Sequence, residues 1–547
     1  MLKIKLAPHF TPLVNKIFSN TPKLNWKIYA SLSLLLATSP ARAGSPITWK
    51  EDITTKPYAD PWIGCNEILD KRETDSIKGN TSVKYINRTG KYGYSTNKNK
   101  YGQIAGYFYS CGASSIRSWV PSDYTNPVVF DSLNVLWRSG DTCTNDVNPN
   151  LVTGACSPDE QKGPPQQSCS AGAPPTENIS IAGNPINFAI GNKFQTEADY
   201  SASGNSVLNF ARSYNSLDGL WRHNFSTYLR FAGTQYVSVV MAHGRESFFT
   251  VSGTTVTPTS ADLGVLSKTG TTGWQYISTA NERFTFNTAG KLTQWSDAHG
   301  AVQQFTYSGS QVTVTDNLGN SLSFTEDADH QPLTLTAPGV QITYTYNASK
   351  RLTSLTRVAG GQTTQRQFHY EVAGKPDLLT GITDERGVRY ATWAYDDQGR
   401  ATSSEHADGA EHVSVTYNSD GTVSVTNELG KVAKYSFQYI KGVRRITSIQ
   451  GEPSPNCPNS NSSFTYDSNG LLKTKTDNKG YLTTYTYNSR GLEISRTEAS
   501  GTPQARTITT EWHPTLFLPQ TVTEPGKVTH YQYDTQGRQL SRTVNSL

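Results

Sequence analysis

Eleven times after residue 280 an Asp or Asn is followed three residues later by Gly. The copies start at Asn287, Asp297, Asp316, Asp384, Asp396, Asn418, Asn427, Asp467, Asp477, Asn488 and Asp534. Neighbours such as 287/297 and 467/477/488 lie 9–11 residues apart. An Asp or Asn side chain accepts a hydrogen bond from the backbone two residues on and starts a turn. Gly takes the left-handed position that closes a short hairpin loop. Roughly ten residues per cycle leave room for one strand of ordinary length and one turn. The pattern therefore predicts hairpin after hairpin.

A second rhythm supports the first. An aromatic-x-aromatic triplet precedes Asp or Asn at Phe284–Asn287, Tyr344–Asn347, Trp393–Asp396, Phe464–Asp467, Tyr485–Asn488 and Tyr531–Asp534, with a variant at Val415–Asn418. Gaps between the Asp/Asn positions are 60, 49, 22, 49, 21 and 46 residues, which fit multiples of a step of 20–25. A period of that size marks a stacked repeat. One hairpin is marginal alone, so neighbours must stack edge to edge into a long, curling antiparallel sheet. Tyr481, Thr483, Tyr485 and Tyr487 fall on one face of such a strand, and Leu482, Thr484 and Thr486 on the other.

Composition agrees. The 547 residues include 29 Tyr, 19 Phe and 10 Trp, with only 17% charged and 35% hydrophobic residues. Those figures exclude a polytopic membrane protein, a mainly disordered chain and a coiled coil. The formal charge of +5 points at first to an acidic partner, but its location removes that reading. Residues 1–43 hold Lys3, Lys5, Lys16, Lys23, Lys27 and Arg42 and no acid, and then an apolar run at 28–37 and Ala41-Arg42-Ala43. This reads as a secretory signal peptide cleaved between Ala43 and Gly44. Without it, 43 basic residues face 44 acidic ones, a net charge of −1. The expectation is an exported protein, secreted, periplasmic or surface-attached, with no membrane span and no nucleic-acid partner.

Export suits six cysteines, Cys65, Cys111, Cys143, Cys156, Cys169 and Cys457. Disulfides are expected, with Cys143–Cys156 the favoured pair and Cys65 and Cys111 further candidates. No C-x-x-C occurs, which leaves zinc a weak alternative. The chain reads as a signal peptide at 1–43, a Cys/Tyr-rich domain at 44–142 and a Pro/Gly-rich linker at 143–178. A β domain at 179–280 and the repeats at 281–547 follow.

The best repeat copies are Tyr395-Asp396-Asp397-Gln398-Gly399-Arg400 and Tyr533-Asp534-Thr535-Gln536-Gly537-Arg538, with Tyr466-Asp467-Ser468-Asn469-Gly470-Leu471 close behind. They resemble the YD repeats of Rhs-type bacterial proteins, wall-associated repeat proteins and teneurins. Upstream, Gly183–Asn187, Gly191-Asn192-Lys193, Asp199-Tyr200, Phe210–Ser216 and Gly219–Phe225 resemble the domain that precedes the repeats in Rhs-type proteins. The resemblance covers about 181–547. It implies an all-β, spiralling, shell-like sheet that encloses a C-terminal toxin in polymorphic toxins, and action at cell surfaces, with carbohydrate binding in some members. This chain ends in mid-repeat at Leu547 and shows no Asp-Pro-Leu-Gly-type core or toxin domain. The expectation is an incomplete shell whose last edge, at 528–547, self-associates or takes a capping partner.

Signatures of chemistry are sparse. G-x-S-x-G, H-E-x-x-H, G-x-G-x-x-G and the P-loop are missing. Ten His are scattered, and His406 and His412 are six apart, poor spacing for a metal pair. Two acid clusters, Glu326/Asp327/Asp329 and Asp396/Asp397, fall at predicted turns. Glycoside hydrolysis needs two carboxyls at a set separation, which makes a secreted hydrolase the remote alternative. The Asp-rich turns lack the further acids of a calcium loop. Residues 84–109 interleave Lys and Arg with Tyr85, Tyr92, Tyr94 and Tyr101, either a glycan-stacking surface or ordinary strands with solvated lysines. No catalytic residue, metal or cofactor is expected. The function expected is a non-enzymatic scaffold for cell-surface contact or toxin encapsulation, with a glycan-binding adhesin as the alternative.

Overall fold

The computed structural model describes residues 48–50, 83–98, 104–117, 134–139, 150–151, 157–164, 180–259, 262–451 and 461–547. The chain forms two compact units, Met1–Cys143 with Thr153–Ala155, and Thr144–Val152 with Cys156–Leu547. Their described residues are almost all antiparallel β, and the two helices among them are single 3₁₀ turns at Asp159–Gln161 and Ala407–Gly409.

In the first unit, β1 (Thr48–Lys50), β2 (Val83–Lys98), β3 (Ile104–Arg117) and β4 (Asn134–Ser139) form one sheet in the order β1-β4-β3-β2. In the long β2–β3 hairpin, Tyr92 stands opposite Tyr109 and Tyr94 opposite Tyr107.

The second unit opens with two small sheets. The first contains β5 (Ile181–Ala182), β6 (Ile186–Asn187), β7 (Asn192–Ser201), β8 (Asn209–Asn215) and β9 (Trp221–His223). The second contains β10 (Tyr228–Ala232), β11 (Tyr236–Val240), β12 (Glu246–Ser252) and β13 (Thr255–Pro258). A single 26-stranded sheet follows, from β14 (Val265–Thr269) to β39 (Gln539–Ser546), in which every strand pairs with its neighbours in sequence. The 26-stranded sheet thus begins before residue 281: β14 and β15 (Gly273–Ile277) lack the Asp/Asn–Gly quartet, but β14 pairs with β15 and β15 pairs in register with the strand holding Phe284.

One face of this sheet is the core. Phe286, Val314, Phe324, Leu335, Ile342, Leu355, Phe368, Ile382 and Trp393 are buried on it, packed with Phe210, Tyr214, Trp221, Phe225 and Leu229 of the leading small sheets. A second cluster joins Ala182, Ile186 and Phe188 to Ala401, Val415, Tyr435 and Ile449. The leading domain therefore seats its apolar face on the inner face of the first two-thirds of the sheet. Beyond that the same face becomes mixed, with polar and charged side chains set between apolar ones. Register carries it from Phe464 to Lys475 and Thr483, then through Tyr485, Arg496 and Ile508, and then through Thr510, Val522, Thr529 and Val544.

Among the described residues the sheet does not close by strand pairing, since β14 pairs only with β15 and β39 only with the strand before it. It nonetheless returns on itself. Asn281 Oδ1 accepts the Phe517 N–H at 2.8 Å, and Arg283 donates to the Thr535 carbonyl at 3.1 Å.

Candidate functional site: the inner face of the repeat sheet and the domain seated on it

The hairpin unit has a fixed geometry. At 396–400 the Asp396 carboxylate accepts the N–H groups of Gln398 and Arg400, each at 2.9 Å, and the Arg400 side chain at 2.7 Å. Gly399, at φ +80°, donates to the Asp396 carbonyl. The same backbone bonds recur at 467–471 and 534–538, and at 534–538 the Arg538 side chain repeats the bond of Arg400. The register shifts by one residue beside each of these turns, between Ala394/Tyr395, Thr465/Tyr466 and Gln532/Tyr533. Such bulges strengthen the local twist.

In several repeats the tyrosine of the motif ties back to the preceding strand or to the residues that lead into it. Tyr395 Oη donates to the Leu379 carbonyl at 2.7 Å, Tyr466 to Ile446 at 2.6 Å and Tyr487 to Leu472 at 2.8 Å. The Arg after the glycine then covers the next tyrosine: the Arg400 guanidinium lies 4.0 Å from the Tyr417 ring centroid. These ties were invisible in the sequence, which shows the tyrosines but not their acceptors. Two turns also escaped the glycine pattern. His330 and Lys350 hold the left-handed position, at φ +61° and +58°, in turns begun by Asp327 and Asn347. The aromatic triplet before Asn347 was the one usable signal for the second.

The contact between leading domain and sheet is polar at its centre. Strand β7 turns Lys193, Gln195 and Glu197 inward, all buried. Lys193 Nζ donates to the carbonyls of Asn184 and Phe194 and to Gln195 Oε1, and lies 4.1 Å from the Trp393 ring centroid. Burial pulls its pKa well below the ordinary lysine value, against the pull of Glu197. Gln195 passes the chain to Glu197 at 2.7 Å, and Glu197 receives Arg366 and the Tyr390 hydroxyl from the repeat sheet. Beside it, fully buried Arg212 forms a two-pronged pair with Asp199, whose carboxylate also accepts Tyr344 Oη at 2.7 Å. The Arg212 guanidinium is wrapped by Trp221, Tyr344 and Phe368.

Further along the contact, His223 of β9 and His330 both meet Glu326 Oε2, at 2.9 and 3.1 Å. Burial pushes His223 below its ordinary pKa. Burial also acts to raise Glu326, but the hydrogen bonds from the two histidines hold it down at about 2. The segment before the domain is pinned as well. Gln161 exchanges two hydrogen bonds with the Arg444 backbone, and Lys162 bridges Asp159 and Asp218.

The residues singled out in the sequence fall as follows. Tyr395, Asp396, Gly399, Arg400, Tyr466, Asp467, Gly470, Asp534, Gly537 and Arg538 form the turns above, and Tyr533 stacks on Tyr531 at 6.3 Å. In the acid clusters Asp396 and Asp327 hold turns, Glu326 is held by histidines, and Asp329 pairs with Lys350. His406 and His412 face Glu411 and Glu405 respectively. Among the described residues no group of three or more His, Cys, Asp or Glu is arranged to hold a metal ion. Tyr85, Tyr92, Tyr94 and Cys111 lie on β2 and β3. Ala43, Gly44, Cys65, Tyr101, Cys143, Cys156, Cys169 and Cys457 lie outside the described residues.

Comparison with known proteins fits this architecture. Residues 183–249 match a domain of unknown function, DUF6531, and residues 466–503 match the RHS Repeat. No curated protein matches the chain. Among solved structures, TcdB2-TccC3 without its hypervariable C-terminal region is 10% identical, with a TM-score of 0.28, over 62% of this chain and 19% of that one. A further TcdB2-TccC3 structure is 9% identical at a TM-score of 0.28, over 83% of this chain and 30% of that one. The Photorhabdus luminescens Tc holotoxin pore is 12% identical at a TM-score of 0.25, over 66% and 21%. The chain thus spans less than a third of the length of each of these structures. The YD turns, the 26-stranded sheet and the two family matches give the chain the features of an Rhs/YD-repeat-type protein.

Proposed function

We propose that the chain is a non-enzymatic, exported scaffold of the polymorphic-toxin kind, a part-shell that contacts cell surfaces or encloses a toxin polypeptide. The observation that carries this reading is the change along the inner face. The first two-thirds is filled by the chain's own leading domain, while the strands after 462 set Lys475, Thr483, Arg496 and Thr510 between Phe464, Tyr485, Ile508 and Val522. A wall that carries charged and hydroxyl groups among its apolar ones suits a hydrated lumen or a polypeptide of mixed character. Among the described residues no helix is long and apolar enough to cross a membrane.

Co-expression with a candidate toxin polypeptide supplied in trans tests the enclosing role. Protection of that polypeptide from protease supports it, and digestion at the rate of the free polypeptide refutes it. Binding of the chain alone to bacterial cells supports the contact role. The glycan-binding alternative rests on the aromatic cross-strand pairs of β2 and β3, and a glycan array with the full chain and a variant lacking Tyr92 and Tyr94 tests it. Strand β39 pairs on one side only and exposes Leu540 and Val544, which supports self-association or a capping partner there.

A further inference from the structure

A cleft of about 630 Å³ opens where the end of β7 meets the inner face of β23 (Leu352–Ala359) and β24 (Gln362–His369). Its floor is apolar, made by Ile342 and Leu355. One wall carries Tyr200, Ser201 and Ser203, and none of their hydroxyls has a partner among the described residues. The opposite wall carries Arg357 and Arg366. Leu355 pairs with Arg366 and Arg357 with Thr364, so the two arginines are diagonal neighbours on one face.

Their states differ. Arg366 is neutralised by Glu197 and Glu385. Arg357 has no ion pair or hydrogen bond among the described residues, although it is half-buried. A guanidinium left unpaired at the wall of a cleft is a ready partner for a planar oxyanion, which it binds through two parallel N–H bonds. The acids Glu385 and Asp199 line the same cleft, so a densely charged polyanion is repelled. What fits is a ligand with one carboxylate, several hydroxyls and an apolar ring face, in a volume typical of small-molecule sites.

We propose that this cleft binds an acidic sugar unit of a surface polysaccharide, with Arg357 on its carboxylate and Tyr200, Ser201 and Ser203 on its hydroxyls. The proposal deepens the cell-surface reading above and rests on it, but places recognition on the contact between leading domain and repeat sheet rather than on β2 and β3.

The test is calorimetric titration of the full chain with three probes: a disaccharide containing one glucuronic acid, the matching neutral glucose disaccharide, and inorganic phosphate. The acidic disaccharide should bind at least tenfold more tightly than either of the others. Arg357→Gln should weaken it about ten- to a hundredfold, the range of a lost charge-assisted contact, and leave the melting temperature unchanged. Arg357→Lys should recover part of the loss. Equal binding of the acidic and neutral disaccharides, phosphate binding as well as the acidic sugar, no binding at all, or unaltered binding by Arg357→Gln would each overturn the proposal. Cell binding by the intact chain, measured alongside, separates the two readings. If cells are bound without any acidic disaccharide, the cleft alone fails; if the disaccharide is bound but no cells are, the contact reading fails.

Discussion

Replacing Arg212 by Met should be among the most damaging single changes in the molecule. Its guanidinium is fully buried, holds Asp199 at 2.5 and 2.9 Å, and is enclosed by three aromatic rings. Methionine fills much of the same volume but leaves the Asp199 carboxylate, only 4% exposed, without its counter-charge. Breaking a buried pair from one side costs about 3–5 kcal/mol, mostly the desolvation of the surviving charge. Tyr344 still donates one hydrogen bond to that carboxylate, which places the loss toward the lower figure. With a urea dependence of about 3 kcal/mol per molar, the midpoint should fall by roughly 1 M. Trp221, with its ring centroid 4.8 Å from the guanidinium, reports the transition by fluorescence. Adding Asp199→Asn removes the stranded charge and should restore at least half of the loss. A single variant within about 0.5 kcal/mol of wild type, the range of ordinary surface changes, would refute the reasoning, as would a double variant whose losses simply add.

Four further outcomes are expected. Gly399→Ala, at φ +80° with only ordinary contacts to Leu378 and Lys375 around the new Cβ, should cost about 1 kcal/mol from backbone conformation alone, and Lys350→Gly should be neutral to slightly stabilising; thermal melts of both variants check the opposite signs. Glu326→Gln should be destabilising at neutral pH. The wild-type carboxyl, depressed to about 2, contributes stability that is full above the ordinary value of 4.5 and lost as pH falls through 2, so melting curves of the two proteins should converge near pH 2. Tyr395→Phe should cost about 1 kcal/mol, since it strips the Leu379 carbonyl of its hydroxyl partner, and hydrogen exchange should rise locally at that strand. Deleting 528–547 should abolish any self-association through β39; a monomer by light scattering both before and after deletion counts against an edge contact.

Much of the repeat sheet was legible because its information is local. A quartet such as Asp396–Gly399 dictates a turn without reference to the rest of the chain. Strand β7 shows where that legibility ends. Its alternation of Lys193, Gln195, Glu197 and Asp199 with Phe194 and Ala198 reads as polar side out, yet the polar series is the inward one. Nothing local reports that Trp393, Arg366 and Tyr390, some two hundred residues away, supply the matching partners. The cleft around Arg357 was illegible for the same reason: its walls come from distant parts of the sequence. His330 and Lys350 were missed for a different one, since other side chains can occupy the left-handed position at a tolerable strain.

The strict neighbour-to-neighbour order of the sheet bears on how the protein comes into being. Each strand needs only the one just made, so assembly can proceed like a zip from the N-terminal end as the polypeptide emerges, and avoids the slow search that distant β pairing imposes. The leading domain, available first, offers a surface on which the early strands can set. The bonds of Asn281 to Phe517 and of Arg283 to Thr535 must come near the end, when the ribbon has travelled far enough to meet its own beginning. Those few late bonds mark the last register check on the whole coil.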